Sequence, residues 1–423
     1  MTKLLCTADL HLGRRSSLPG ARGGPEVYAS DAWRRIVDCA LAESVAAVLI
    51  AGDLVDDDRA RYEATGPFER ELNRLAAAAI PCYVVAGNHD HEALQRLAAG
   101  PAAENLRWLG RDGSWEEAIL PGDVELAIHG WSFPASHHGQ SPLANYPYPD
   151  QPGRFTIGLL HADLGQPGSR YAPVHEAELT AHPYVFWLLG HIHAHRTVSI
   201  GDHVVALYPG SPQALDLNEP GAHGAWLLEL LPGGGTRLEF VPLSSVRYER
   251  PEIDLTNTDP GSLEETVWAA IGHLAVEVRG AGGAAPRWLC CRPRLVGSTS
   301  VCGNLGEVMA PLTQLVHEVD GQEWLLDGWI DQTEPVLDQA LESLATGAHP
   351  PAVLARLLLA LQAGGEEELV TKARELLEPL HGRYPEVAEE VVTEEEVRHR
   401  LLALAHRLLA TLQRQQEAAH VAT

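Results

Sequence analysis

No apolar run in this 423-residue chain approaches the ~18 consecutive residues of a membrane-crossing helix, so a membrane protein is not expected. Cysteine is sparse. Cys6, Cys39, Cys82, Cys290, Cys291 and Cys302 show no CxxC spacing and lie mostly within apolar runs, which argues against both a structural zinc module and a disulfide scaffold. Lysine is almost missing, with only Lys3 and Lys372 among 31 basic residues. Against 57 acidic residues these leave a net charge of -26, which disfavours a free-standing, high-affinity DNA-binding protein, because phosphates call for a basic surface. Nearly all the positive charge is arginine, whose guanidinium fork binds phosphate bidentately, so local arginine clusters matter more than the total. The opening "MTKLLCTADL" has neither a basic n-region nor a cleavage site, and a cytoplasmic, nucleoid-associated location is expected.

What is present is a series of short, continuous apolar runs: "KLLCTA", "AAVLIAG", "PCYVVAG", "VELAIHG", "FTIGLLH", "YVFWLLG" and "HVVALYPG". Runs of this length, rich in Val, Ile and Leu, fit strands buried on both faces. Helical spacing over 29–43, 62–79 and 92–98 separates the early ones, and that alternation predicts an α/β layered domain. The length calls for about two to three domains. The pattern changes near Ser244, giving an α/β domain over 1–244, a small α+β domain over 245–346 and a helical region over 347–423.

Each of several runs ends in side chains that bind metals. Asp9 and His11 follow the first, Asp53 the second, and Asn88, His89 and Asp90 the third; His161, then His191 and His193, follow two later ones. Ligands of α/β sheets bind at the carboxyl ends of strands, so residues far apart in sequence would converge there. Carboxylate, imidazole and amide oxygen suit Mn, Fe or Zn. A pair of cations needs a ligand that touches both, and Asp53 is the candidate. His129, His137, His138, His175 and His195 read as loop or hydrogen-bonding residues.

The order D-x-H, G-D, G-N-H-D, H, G-H-x-H over residues 1–215 resembles the metallophosphoesterase superfamily. The strings "TADLHLG", "AGDLVDDD", "VVAGNHD", "GHIHAH" and "YPGSPQ" resemble its DNA-repair exonuclease branch, the SbcD and YhaO type of nuclease subunit. The resemblance implies a four-layered α/β/β/α sandwich followed by a small α+β capping domain, for DNA recognition, and C-terminal helices. It implies one metal held by Asp9, His11, Asp53 and His193, and a second by Asp53, Asn88, His161 and His191, typically Mn²⁺, with Fe, Zn or Mg as other choices. His89 then resembles the histidine that helps the leaving oxygen depart, with Asp90 orienting it. The implied activity is hydrolysis of DNA phosphodiesters, as exonuclease and also endonuclease, in repair.

Arg14, Arg15 and Arg22 follow the first motif and Arg59 and Arg61 the second, so all five are candidate phosphate-backbone contacts. Two features depart from the branch: Asp56 where some members carry histidine, with Asp57 and Asp58 beside it, and the overall acidity, which suggests that a partner supplies DNA affinity. In 393–416, Val397, Leu401, Leu404, Leu408 and Leu412 form a helical stripe. It packs either on its own domain or, as the resemblance implies, on an SbcC-type or related SMC-like ATPase; a homodimer is also typical of the branch. A small-molecule or cyclic-nucleotide phosphodiesterase, and a non-catalytic scaffold for an ATPase, remain the other readings.

Overall fold

The computed structural model describes residues 2–18, 22–56, 61–99, 103–120, 126–148, 154–166, 168–201, 203–231, 235–280, 285–302, 305–336, 340–381 and 393–421. The apolar runs become strands. In chain order they are β1 (Thr2–Thr7), β2 (Ala47–Ala51), β3 (Cys82–Val85), β4 (Leu106–Trp108), β5 (Trp115–Leu120), β6 (Leu126–Trp131), β7 (Phe155–His161), β8 (Val185–Gly190), β9 (Arg196–Ile200), β10 (His203–Tyr208), β11 (Gly224–Leu230) and β12 (Thr236–Pro242). They form two sheets, ordered β12-β11-β1-β2-β3-β4 and β5-β6-β7-β8-β10-β9. The inner strands β1 to β4 run parallel, as do β6, β7, β8 and β10, while β11, β12, β5 and β9 join antiparallel at the flanks.

Alternation along the strands builds the layers. In β1, Leu4 and Cys6 point between the sheets, where they meet Ile157, Leu159 and Leu188 of the second sheet. Leu5 points the other way, onto α1 (Ala29–Ala42) and α2 (Arg61–Ala77), which cover the first sheet through Trp33, Ile36, Phe68 and Leu72. Trp33 and Phe68 stack with centroids 5.4 Å apart, and burying a side chain such as Phe68 is worth about 1.5–3 kcal/mol. On the outer face of the second sheet, Trp187, Leu189 and Tyr208 pack against Leu179 of the short helix that follows α3 (Ala93–Leu97), α4 (Glu176–Thr180). The layering is therefore α/β/β/α, a mixed α/β sandwich.

Later strands are β13 (Val246–Glu249), β14 (Glu252–Asp254), β15 (Trp288–Cys291), β16 (Arg294–Val296), β17 (Ser298–Thr299), β18 (His317–Val319), β19 (Gln322–Leu326), β20 (Ile330–Asp331) and β21 (Glu334–Pro335). Two compact units result. The first comprises Met1–Glu249, Ala275–Cys290 and Val316–Leu325; the second comprises Arg250–Leu274, Cys291–Leu315 and Leu326–Thr423. Within the first unit, a further sheet ordered β13-β15-β19-β18 shares a core with Leu18, Val27 and Ala214. The second unit has small parallel sheets, β14-β16-β20 and β17-β21, the first part of α5 (Leu263–Gly280), up to Leu274, and the helices α6 (Leu305–Leu312), α7 (Leu341–Leu344), α8 (Pro350–Gln362), α9 (Glu367–His381) and α10 (Glu394–Val421).

The leucine stripe of α10 divides. Val397 is buried against Leu361 and Val370, and Ala405 and Leu409 pack on Leu344, Ala355 and Leu358. Leu404 and Leu408 are 64% and 52% exposed. They lie one residue, about 100°, round the helix from Ala405 and Leu409, so Val397 and Leu401 of the stripe pack at home while its middle faces solvent and the flanking Leu409 packs in its place. Five of the six cysteines are buried, which agrees with their packing as small hydrophobes.

Candidate metal centre

Every parallel strand that the sequence singled out ends at the same place. β1, β2 and β3 deliver Asp9, His11, Asp53 and Asn88 from one sheet; β7 and β8 deliver His161, His191 and His193 from the other. Main-chain bonds fasten the loops to each other: the Asp9 N–H donates to the Gly52 carbonyl and the His11 N–H to the Asp53 carbonyl, both at 3.0 Å. The turns are sharp enough to put Asp9, His11, Asp53 and His191 at positive φ, of 51°, 45°, 50° and 98°. Such angles cost an L-residue of order 1–3 kcal/mol and persist where surrounding contacts enforce them.

Glycines make room for this crowding. A Cβ on Gly87 would run into the Asp53 carboxylate and lie 2.8 Å from the Asp53 backbone nitrogen; one on Gly190 would strike the Ala51 carbonyl and sit 2.7 Å from His161 Nδ1. The glycines before Asn88 and His191 are thus packing requirements of the site.

Asp9, His11, Asp53 and His161 are buried, while Asn88, His191 and His193 are half-buried. His11 Nδ1 donates to Asp56 Oδ1 at 3.1 Å and His193 Nδ1 donates to Glu219 Oε1 at 2.5 Å. Both rings therefore turn Nε2 inward, and these two atoms face each other at 3.0 Å. His161 Nδ1 donates to the Ala51 carbonyl, which leaves its Nε2 lone pair 3.2 Å from Asn88 Oδ1 and 3.5 Å from Asp53 Oδ2. Asp53 Oδ2 is also 3.8 Å from His11 Nε2, so this carboxylate stands between the two histidine groups.

Acceptors crowded in this way repel one another until positive charge enters. Ligand atoms of Asp9, His11 and His193 lie within 4.8 Å of one another, as do those of Asp9, Asp53 and His161. Burial opposes charge on His193, yet Glu219 and the carboxylates of Asp9 and Asp53 raise its imidazole to about 9, so without a metal this ring carries a proton, which a bound metal would displace. Burial and the neighbouring His161 ring push His191 down to about 4, keeping it a neutral donor. Carboxylates, neutral imidazoles and an amide oxygen with no thiolate fit divalent cations of the Mn, Fe or Zn kind.

His89 is exposed at the mouth, its ring 5.3 Å from that of His11. Asp90 is placed otherwise than its expected role of orienting His89 requires. It is fully buried, its oxygens accept the Leu54 N–H at 2.6 Å and the Gly87 N–H at 2.7 Å, and burial together with the charge of Asp53 pushes its carboxyl up to about 7. It braces the loops after β2 and β3, while His89 Nδ1 donates to the Asp56 carbonyl oxygen at 2.8 Å. A residue next in sequence to His89 points inward because the turn needs those two N–H groups satisfied.

Glu219 gave no sign in the sequence, where "LDLNEPG" reads as a turn; its second oxygen accepts the Leu215 N–H at 2.7 Å, which pins it behind His193. Asp56, read as added negative charge, backs His11 instead. Among the arginines, Arg14 Nη1 lies 3.8 Å from Asp56 Oδ1. Arg15 is engaged with its own loop, donating to the Arg22 carbonyl and lying over the Tyr28 ring. Arg22 is half-buried, and Arg59 and the side chain of Arg61 lie outside the described residues. His129 is buried between Glu117 and Tyr146, and His195 is exposed beside the Phe240 ring.

The calcineurin-like phosphoesterase family matches residues 2–195, the span that carries all the strand-end clusters. Over this span the chain is similar to calcineurin-like phosphoesterases. The chain is similar to the uncharacterized metallophosphoesterase YhaO of Bacillus subtilis, 28% identical over 340 residues, covering 75% of this chain and 79% of that one. It is also similar to the DNA double-strand break repair protein Mre11 of Aeropyrum pernix, 26% identical over 298 residues, 66% of this chain and 69% of that one. Among solved structures, a dimetal phosphatase from Danio rerio matches 56% of this chain and 95% of its own, at 14% identity and a TM-score of 0.38.

Proposed function

We propose that this protein is a two-cation phosphodiesterase that cuts DNA, as an exonuclease acting in repair, with Asp9, His11, Asp53 and His193 holding one cation and Asp53, Asn88, His161 and His191 the other. The observation that carries the reading is the pair of facing lone-pair clusters on either side of Asp53, beneath an exposed His89. Similarity to YhaO and Mre11 over 75% and 66% of the chain, past the span of the phosphoesterase match, supports a macromolecular substrate over a small diester. Mn²⁺ is the proposed metal. Bound there, two such ions supply a water of pKa near ~7 and neutralise phosphate charge.

The chain's own groups do the rest. Asp53 Oδ1 accepts the His89 N–H at 3.1 Å, which ties the general acid's backbone to the ligand between the two sites. With its Nδ1 proton committed to the Asp56 carbonyl, His89 offers Nε2 to hold a proton at the leaving oxygen. Arg14 at the mouth is the proposed phosphate contact nearest the site. The exposed Leu404 and Leu408 of α10 support docking of an SMC-like ATPase, whose DNA affinity would offset a net charge of -26. A homodimer is part of the same proposal.

The test is incubation of purified protein with Mn²⁺ and end-labelled DNA at low salt, beside bis-p-nitrophenyl phosphate and a cyclic nucleotide. Metal-dependent loss of DNA label supports the nuclease. Cleavage of the small diesters alone, still unchanged when the ATPase is added, would replace it with a small-molecule phosphodiesterase.

A further inference from the structure

The two cation positions differ in what stands behind their histidines. Behind His11 is the Asp56 carboxylate, and behind His193 is that of Glu219. Behind His161, the hydrogen bond of Nδ1 among the described residues goes to the neutral carbonyl of Ala51 at 3.0 Å, and the Asp9 carboxylate stands 3.8 Å from that nitrogen, beyond hydrogen-bond reach. Asp163 acts on His191 through its charge, and no hydrogen bond joins its carboxylate to that ring among the described residues. Both backing carboxylates are held: Glu219 by the Leu215 N–H, and Asp56 by Arg14.

We infer that the positions fill in order, the one between His11 and His193 first, and that Asp56 and Glu219 are the positioning residues that set this order. The inference rests on the two-cation reading above. A carboxylate accepting from Nδ1–H fixes the tautomer, aims the Nε2 lone pair and raises its basicity, and losing such a partner typically costs ~10–100-fold in metal affinity. Two partners on one position and a neutral carbonyl on the other therefore separate the affinities by about 10²-fold or more, since both rings address the same ion. The separation also gives the loops after β2 and β10 a joint part in metal uptake, because Asp56 and Glu219 come from those two loops.

Calorimetric titration of the metal-free, full-length protein with Mn²⁺ tests it. The wild type is expected to show a tight step and a weak one. Glu219→Gln and Asp56→Asn, substitutions on separate loops that keep an acceptor oxygen, are each expected to weaken the tight step by about tenfold or more and to leave the weak step within about twofold. At one equivalent of Mn²⁺, electron paramagnetic resonance should show single ions in the wild type and an admixture of coupled pairs in Glu219→Gln. Two equal steps in the wild type, or equal weakening of both steps in the two variants with unchanged circular dichroism, would overturn the inference. A wild type that binds no Mn²⁺ would instead sink the two-cation reading itself.

Discussion

His89→Ala separates chemistry from architecture at this site. The ring is exposed and its one hydrogen bond runs to the Asp56 carbonyl, so truncation leaves that carbonyl open to water and costs the fold little. A positioned general acid contributes about 10²–10⁴ in rate, which at 1.36 kcal/mol per decade is about 2.7–5.4 kcal/mol of barrier. That loss applies where the leaving oxygen needs a proton, as the alkoxide of a nucleotide does. A p-nitrophenolate leaves without one. The variant should therefore lose about 10²–10⁴-fold on end-labelled DNA but less than about tenfold on bis-p-nitrophenyl phosphate. Mn²⁺ content, measured by elemental analysis, should not change. Equal losses on both substrates would mean that His89 binds phosphate and does not protonate, and unchanged DNA cleavage would remove it from the reaction.

Two further outcomes follow from packing and from titration. Gly87→Ala pushes a methyl group onto the Asp53 backbone and carboxylate, and overpacking of this kind costs about 1–3 kcal/mol; a lower melting temperature together with weaker Mn²⁺ binding is expected, and a silent substitution would contradict the close approach. Burial holds His129 below its ordinary value despite Glu117, with Arg154 and Tyr146 also facing the cluster. A depressed folded pKa means stability present above the unfolded value near ~6.5 and lost as pH falls through the folded one, so His129→Gln should flatten the decline of melting temperature between pH 7 and 5. A variant as pH-sensitive as the wild type would refute this.

The inner strands were readable because burial on both faces leaves an unbroken apolar run, as in β2, β3, β6 and β8, all of whose residues are buried. The edge strands β5 and β9 were not. β5, "WEEAIL", keeps half of its residues in solvent and β9, "RTVSI", all but Val198, and pairing with a neighbour, not composition, makes them strands. The ligand clusters could be read because each sits at the end of such a run. Glu219 could not: it belongs to no motif, and only the return of the chain from β10 to β11 brings it behind His193. Asp90 differs from its expected role for another reason: neighbours in sequence at a tight turn point to different sides.

The site is shared between the two sheets, and this links metal to fold. Asp9, His11, Asp53 and Asn88 come from the first sheet and His161, His191 and His193 from the second, so the cluster exists only when the sandwich has closed over Leu4, Cys6, Ile157 and Leu188. Without cations the facing acceptors repel across that closure. A ligand that binds only the closed form stabilises it by RT ln(1 + [L]/Kd), about 2.7 kcal/mol at a hundredfold excess over Kd. For a unit of this size that is a rise of about 5–10 °C in melting temperature. Scanning the full chain with and without Mn²⁺ should show the rise in the transition of the first unit. No shift, with binding proved by titration, would mean that the ligands come together as well in the open chain, and the strain at Asp9, His11, Asp53 and His191 would then need another cause.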